Sequence, residues 1–142
     1  MAEQLEVTVR LTNQKVQFTG VSRSNPEVIF DYTPPLGDGE GYTGLEMLLM
    51  SLAACSGTSV VALLRKTGKT VSAFQVAARG IRREEHPTSF EKIFLSFVLT
   101  SENTGDADIL KAIQLSEQQV CPVWDMLKGN VEIITEHKII AS

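Results

Sequence analysis

The chain has 142 residues, 43% of them hydrophobic and 21% charged, with 13 Lys+Arg against 17 Asp+Glu and a formal net charge of −4. That length points to a single domain over residues 1–142, and an acidic balance without a basic run argues against nucleic acid or an anionic membrane surface as partner. Two cysteines are too few for a metal cage or a disulfide scaffold, so neither a metal nor a cofactor is expected.

The opening MAEQLEVTVR has no basic stretch ahead of an apolar run, so the expectation is a soluble, cytoplasmic protein without a secretory leader. Leu5, Val7, Val9 and Leu11 alternate with polar residues, which predicts a half-buried strand. Asn13-Gln14 reads as a hairpin tip, with Val16 and Phe18 continuing the alternation on the return. Glu27–Tyr32 is a third strand candidate, and the following Pro34-Pro35-Leu36-Gly37-Asp38-Gly39-Glu40-Gly41 breaks all periodicity and reads as an exposed loop.

Leu45 to Leu64 (LEMLLMSLAACSGTSVVALL) is apolar enough in length to cross a bilayer, but Glu46, three serines, Thr58 and Gly57 weaken it as a span. It reads better as a helix buried on nearly all sides, about 35 Å long if it runs to Thr67. Thr43 and Glu46 carry a capping-box pattern at its start, and Arg65, Lys66 and Lys69 put cations where the helix dipole favours them. Val71–Arg82 and Phe90–Thr100 read as two long antiparallel strands around a charged loop, with Ile93, Leu95, Phe97 and Leu99 on one face. Asp106–Val120 reads as one amphipathic helix with Ile109, Leu110, Ile113 and Leu115 as its apolar positions, and Val131–Ile140 as a last strand. The fold class is α+β.

The chemistry rests on the thiols. Cys55 lies inside the apolar helix between Ala53-Ala54 and Ser56-Gly57, which suits either a small buried hydrophobe or a residue beside room for a ligand. Cys121 precedes Pro122, a favoured first helical residue, and so falls at an N-cap, where the positive helix end lowers a thiol's pKa. His86 and His137 stand at no metal-ligand spacing from either cysteine. Gly37-Asp38-Gly39-Glu40-Gly41 lacks the lysine of a phosphate-binding loop, and its two acids would repel phosphate.

Gly44–Ser56 (GLEMLLMSLAACS) resembles the first-cysteine helix of the OsmC/Ohr family of thiol peroxidases, and Cys121-Pro122-Val123 after Leu115–Val120 resembles its second-cysteine motif. The likeness runs from about Gly44 to Ile140, and Arg82-Arg83-Glu84-Glu85 with Leu48-Leu49-Met50 is most similar to the YhfA-like branch. This resemblance implies an α+β intertwined homodimer, with long central helices wrapped by antiparallel sheets. It also implies a reaction in which Cys55 attacks an organic hydroperoxide, becomes a sulfenic acid and condenses with Cys121 to a disulfide. The partners it implies are a second copy of the chain, the hydroperoxide, and a dithiol reductant such as a lipoyl group. An apolar pocket beside Cys55 would select alkyl or lipid hydroperoxides. The alternative is a catalytically weak dimer of the same fold that senses redox state or binds a small apolar ligand.

The family's peroxidases hold the attacking thiolate with an arginine and with a glutamate ten positions before the cysteine. Here that position is Leu45, and the acid is Glu46. Nine residues at about 100° each place Glu46 on the opposite side of a continuous helix from Cys55. Glu46 is therefore a candidate both for catalysis and for capping. Thr33–Thr43 carries no arginine, which leaves Arg10 and Arg23 as candidate cations.

Overall fold

The computed structural model describes residues 2–142. The chain divides into two compact units, the residues up to Leu48 and Leu49–Ser142, and the long helix begins in the first and continues into the second.

In the first unit, β1 (Thr8–Leu11), β2 (Phe18–Val21) and β3 (Val28–Phe30) form an antiparallel meander in that order. The turn between β1 and β2 is organised by Asn13, whose Oδ1 accepts the backbone N–H groups of Lys15 at 2.9 Å and Gln17 at 3.1 Å. β1 is shorter than the alternation predicts, and its apolar face is open rather than half-buried: Val7, Val9 and Leu11 are 74%, 54% and 51% exposed. Alternation reports which residues share a face, but burial needs something to lie against it.

The Gly/Pro-rich segment after β3 is a loop wound around one carboxylate. Asp31 is buried; its Oδ1 accepts the Tyr32 N–H at 2.7 Å, and its Oδ2 accepts the N–H groups of Glu40 at 3.1 Å and Asp38 at 3.3 Å. Gly37 sits so close to Asp31 and Tyr32 that a Cβ there would collide with both. The Tyr32 N–H, followed by those of Glu40 and Asp38, holds the Asp31 pKa below the usual carboxylate range despite burial.

Helix α1 spans Gly44–Lys66. Its first turn has the expected capping box: Thr43 Oγ1 accepts the Glu46 N–H at 3.2 Å, and Glu46 Oε1 accepts the Thr43 N–H at 2.9 Å. It ends where Gly68 takes φ +80° and the Lys69 N–H turns back to the Leu64 carbonyl at 3.0 Å. Among the described residues α1 is the one helix long and apolar enough to cross a membrane, and 39% of its most apolar window is buried.

In the second unit, β4 (Ala73–Arg82) pairs antiparallel with β5 (Phe90–Ser101), and β5 pairs parallel with β6 (Glu132–Ala141). The sheet is therefore mixed, where only antiparallel sheets were expected. A parallel neighbour requires a crossover, which α2 (Asp106–Leu115), a π-helical turn (Ser116–Val120) and α3 (Pro122–Leu127) supply. Ile93, Leu95, Phe97 and Leu99 of the central strand are fully buried, as their alternation predicts. Each contributes about 1.5–3 kcal/mol of apolar burial.

α1 meets β4 through its smallest residue. A Cβ on Gly57 would lie 3.2 Å from Val76 Cγ2 and 3.5 Å from Phe74 Cε2, so helix and sheet are as close as side chains allow. α2 is shorter than expected: Ile109, Ala112 and Ile113 are buried, Leu110 is exposed, and the helix gives way to the π-turn after Leu115.

Two expectations follow. Gly57→Leu forces α1 off β4, and chemical denaturation should show a loss of about 1–3 kcal/mol. The Asp31 carboxylate, with its folded pKa depressed, contributes stability that is complete above its ordinary pKa of 3.8 and is lost as pH falls through the folded value. Melting curves should therefore show Asp31→Asn less stable than the parent at neutral pH, with the gap closing below about pH 4.

Candidate functional site

The second unit brings both cysteines into one place. Cys55 is half-buried, midway along α1; Cys121 is 2% exposed, at the N-cap of α3; both are free thiols. The two side chains are close enough for the Cys55 sulfur to act on the Cys121 thiol, although they are 66 positions apart in sequence.

The π-turn fixes the approach of Cys121. A π-helical turn carries one residue more than an α turn; such turns are rare and occur frequently at functional sites. Here the Cys121 N–H donates to the Ser116 carbonyl at 2.8 Å, five residues back, and the chain then leaves helical geometry at Cys121 (φ −80°, ψ 108°). Pro122 starts α3, whose Trp124 N–H donates to Cys121 Sγ at 3.4 Å and whose Asp125 N–H donates to the Cys121 carbonyl at 3.0 Å. Lys128 clamps the outside of the turn, with Nζ donating to the Glu117 carbonyl at 3.0 Å.

The N-cap position is as the sequence predicts, but its electrostatic consequence is reversed. Burial pushes the Cys121 thiol up to about 11, and the Cys55 sulfur, as hydrogen-bond partner and as a like charge, pushes the same way. The Trp124 and Val123 N–H groups favour the thiolate and are outweighed. The six-residue α3 offers a small dipole, whereas removal from water acts on the whole charge. Cys121 is therefore a protonated thiol at neutral pH.

A polar cleft of about 300 Å³ has Cys121 in its wall, together with Glu117, Gln118, Gln119, Pro122 and Asp125. An apolar cleft of about 300 Å³ lies in the first unit, lined by Val7, Val9, Val21, Val28, Phe30 and Met47 among others. Among the described residues no group of three or more His, Cys, Asp or Glu side chains could hold a metal ion.

The remaining candidates fall in the first unit. Glu46 is exposed, with its carboxylate engaged in the α1 cap. Arg10 lies on β1 opposite Thr19, and Arg23 in the turn after β2 with φ 55°. Three arginines of the second unit have other partners, Arg79 stacking over the Phe94 ring at 4.2 Å, Arg82 bonding to Thr88 and Arg83 to the Glu85 carbonyl, while Arg65 is exposed in the last turn of α1.

Sequence reasoning missed the serines of the site. Ser59 and Ser116 are buried, and their hydroxyls meet at 2.6 Å. The signal was present: Ile109, Ala112, Ile113 and Ser116 occupy one helical stripe, so a serine stands where the pattern calls for an apolar residue.

A model of the OsmC-like protein family matches residues 37–136, which includes both cysteines. Protein YhfA of Escherichia coli strain K12 is 33% identical over 125 residues, 88% of this chain and 91% of that one. The chain belongs to the OsmC family. Its resemblance to the YhfA-like branch is borne out by that relative. An OsmC-like protein from Mycoplasma pneumoniae shares the OsmC fold with a TM-score of 0.85 at 21% identity, covering 99% of both chains. An organic hydroperoxide resistance protein from Elizabethkingia anophelis shares it with a TM-score of 0.72 at 14% identity, again over 99% of both.

A raised folded pKa gives Cys121 a definite signature. Its contribution to stability is complete below the ordinary thiol value of 9.0 and is lost as pH rises through about 11. Thermal melts between pH 8 and pH 11 should fall more steeply for the parent than for Cys121→Ser.

Proposed function

We propose that this OsmC-family chain is a thiol-dependent reductase of organic hydroperoxides. The observation that carries this reading is the adjacency of two free thiols, one half-buried on α1 and one held at the N-cap of α3. In the reaction, the Cys55 thiolate attacks the terminal oxygen of the hydroperoxide. The O–O bond breaks, the alkoxide takes up a proton and leaves as an alcohol, and Cys55 becomes a sulfenic acid. Cys121 then attacks that sulfur after giving up its proton; an S–S bond forms and water leaves. An external dithiol, such as a lipoyl group, returns two electrons and two protons to regenerate both thiols.

Glu46 serves this chemistry through its cap, fixing the start of the helix that carries Cys55. Arg10 and Arg23 are the candidates for the cation that steadies the thiolate, and paired alanine variants distinguish them by which one slows the first step. The working unit is a homodimer in the cytoplasm. The partly covered apolar window of α1 and the open face formed by Val7, Val9 and Leu11 are what a second copy would bury. Light scattering should give twice the chain mass.

One observation favours a second reading. A Cys121 thiol pushed up to about 11 is a slow nucleophile at neutral pH, which suits a redox sensor that forms its disulfide gradually. Cumene hydroperoxide consumption in the presence of dihydrolipoamide separates the two. Peroxidase activity should be abolished in Cys55→Ser, and Cys121→Ser should stop at a dimedone-reactive sulfenic acid on Cys55. Negligible turnover by the parent, together with slow formation of a Cys55–Cys121 disulfide, would favour the sensor.

A further inference from the structure

The Ser59–Ser116 contact is a buried polar link between α1 and the π-turn that the thiol chemistry itself does not use. The hydroxyls are 2.6 Å apart. Ser59 Oγ also reaches the carbonyls of Ser56 at 3.0 Å and Cys55 at 3.3 Å, so both hydroxyl protons find acceptors when Ser116 donates in the pair. A continuous line of hydrogen bonds thus runs from the π-turn into the backbone of α1 beside Cys55.

Its placement is the significant part. Ser59 stands four residues after Cys55, one turn along α1, and Ser116 stands five residues before Cys121, one π-turn back. Ser116 also supplies the carbonyl that accepts the Cys121 N–H at 2.8 Å. The hydroxyl pair and the thiol pair are therefore successive rungs between the same two segments. Without the hydroxyl rung, the π-turn loses its side-chain tie to α1, and the Lys128 clamp on the outer side is left to oppose relaxation toward the commoner α geometry, which drops one residue from the turn. That change rotates the position after the turn by about 100° and swings Cys121 away from Cys55.

We propose that Ser59 and Ser116 are positioning residues for the Cys55–Cys121 pair, holding the π-turn in register so that the second thiol stays within bonding reach of the first. The proposal rests on the reading that these two thiols form a disulfide, and it is tested without hydroperoxide. Diamide takes two electrons and two protons from a dithiol, becoming the hydrazine as the S–S bond forms. Its use keeps positioning separate from peroxidase activity.

The experiment follows diamide oxidation of the reduced full-length chain by alkylation and mass spectrometry, in the parent, Ser116→Ala, Ser59→Ala, Ser116→Thr and the double alanine variant. The alanine variants should form the Cys55–Cys121 disulfide about tenfold more slowly or worse, and Ser116→Thr, which keeps the hydroxyl, should recover most of the rate. Iodoacetamide alkylation of Cys55 in a Cys121→Ser background should be unchanged by Ser116→Ala, a readout that general loosening of α1 would move. If a single alanine variant fails to fold because it strands a buried hydroxyl, the double variant leaves no such orphan and decides the matter. Parent-like disulfide formation in a folded alanine variant overturns the proposal, as does failure of the parent to form the bond. A parent that forms the bond yet turns over no hydroperoxide overturns only the peroxidase reading.

Discussion

The second unit depends on how a helix with a polar seam can be packed in a dry interior. The buried face of α1 carries Ser56, Gly57 and Ser59 between Leu52 and Leu64, and each hydroxyl removed from water needs a partner. Ser56 satisfies itself against the Leu52 carbonyl at 2.8 Å, and Ser59 bonds back to the Ser56 carbonyl at 3.0 Å while accepting from Ser116. That third contact ties α1 to the crossover, and the crossover carries Cys121. Gly57 removes the bulk that would hold the helix away from β4. The packing of α1 on one side therefore governs the placement of the thiols on another.

The central strand explains why the crossover is there at all. β5 has an antiparallel neighbour reached through a short loop and a parallel neighbour reached only by a long excursion. The 30 residues between Ser101 and Glu132 are that excursion, and they hold α2, the π-turn and α3. Family membership and topology thus converge on the same segment, since the matched region 37–136 spans α1, the sheet strands β4 and β5, and the whole crossover.

Much of this architecture is legible in the residues. The alternation of Ile93, Leu95, Phe97 and Leu99 identifies the central strand, Thr43 with Glu46 marks the start of α1, and Cys121-Pro122 marks the start of α3. The parallel pairing of β6 is not legible, because Val131–Ile140 has the same alternation whichever way it runs. The π-turn is hidden for a different reason: no glycine or proline lies within Ser116–Val120, and the side-chain contact that ties the turn to α1 joins positions 57 residues apart. Local reasoning also reversed the direction of the Cys121 shift. A helix end is visible in sequence, while the desolvation that outweighs it depends on what the fold piles around the sulfur. The open face of β1 shows the same limit, for Val7 and Val9 announce a face without announcing a cover.

Trp124 is the only tryptophan of the chain; its side chain is buried, its Nε1 has no hydrogen-bond partner among the described residues, and its backbone N–H is bound to Cys121 Sγ. Indole emission is sensitive to neighbouring sulfur and to polarity, and selective excitation of indole in this protein reads one location alone. The molecule therefore carries an intrinsic optical probe three residues from its second thiol, and the oxidation state of the pair can be followed in real time without a label.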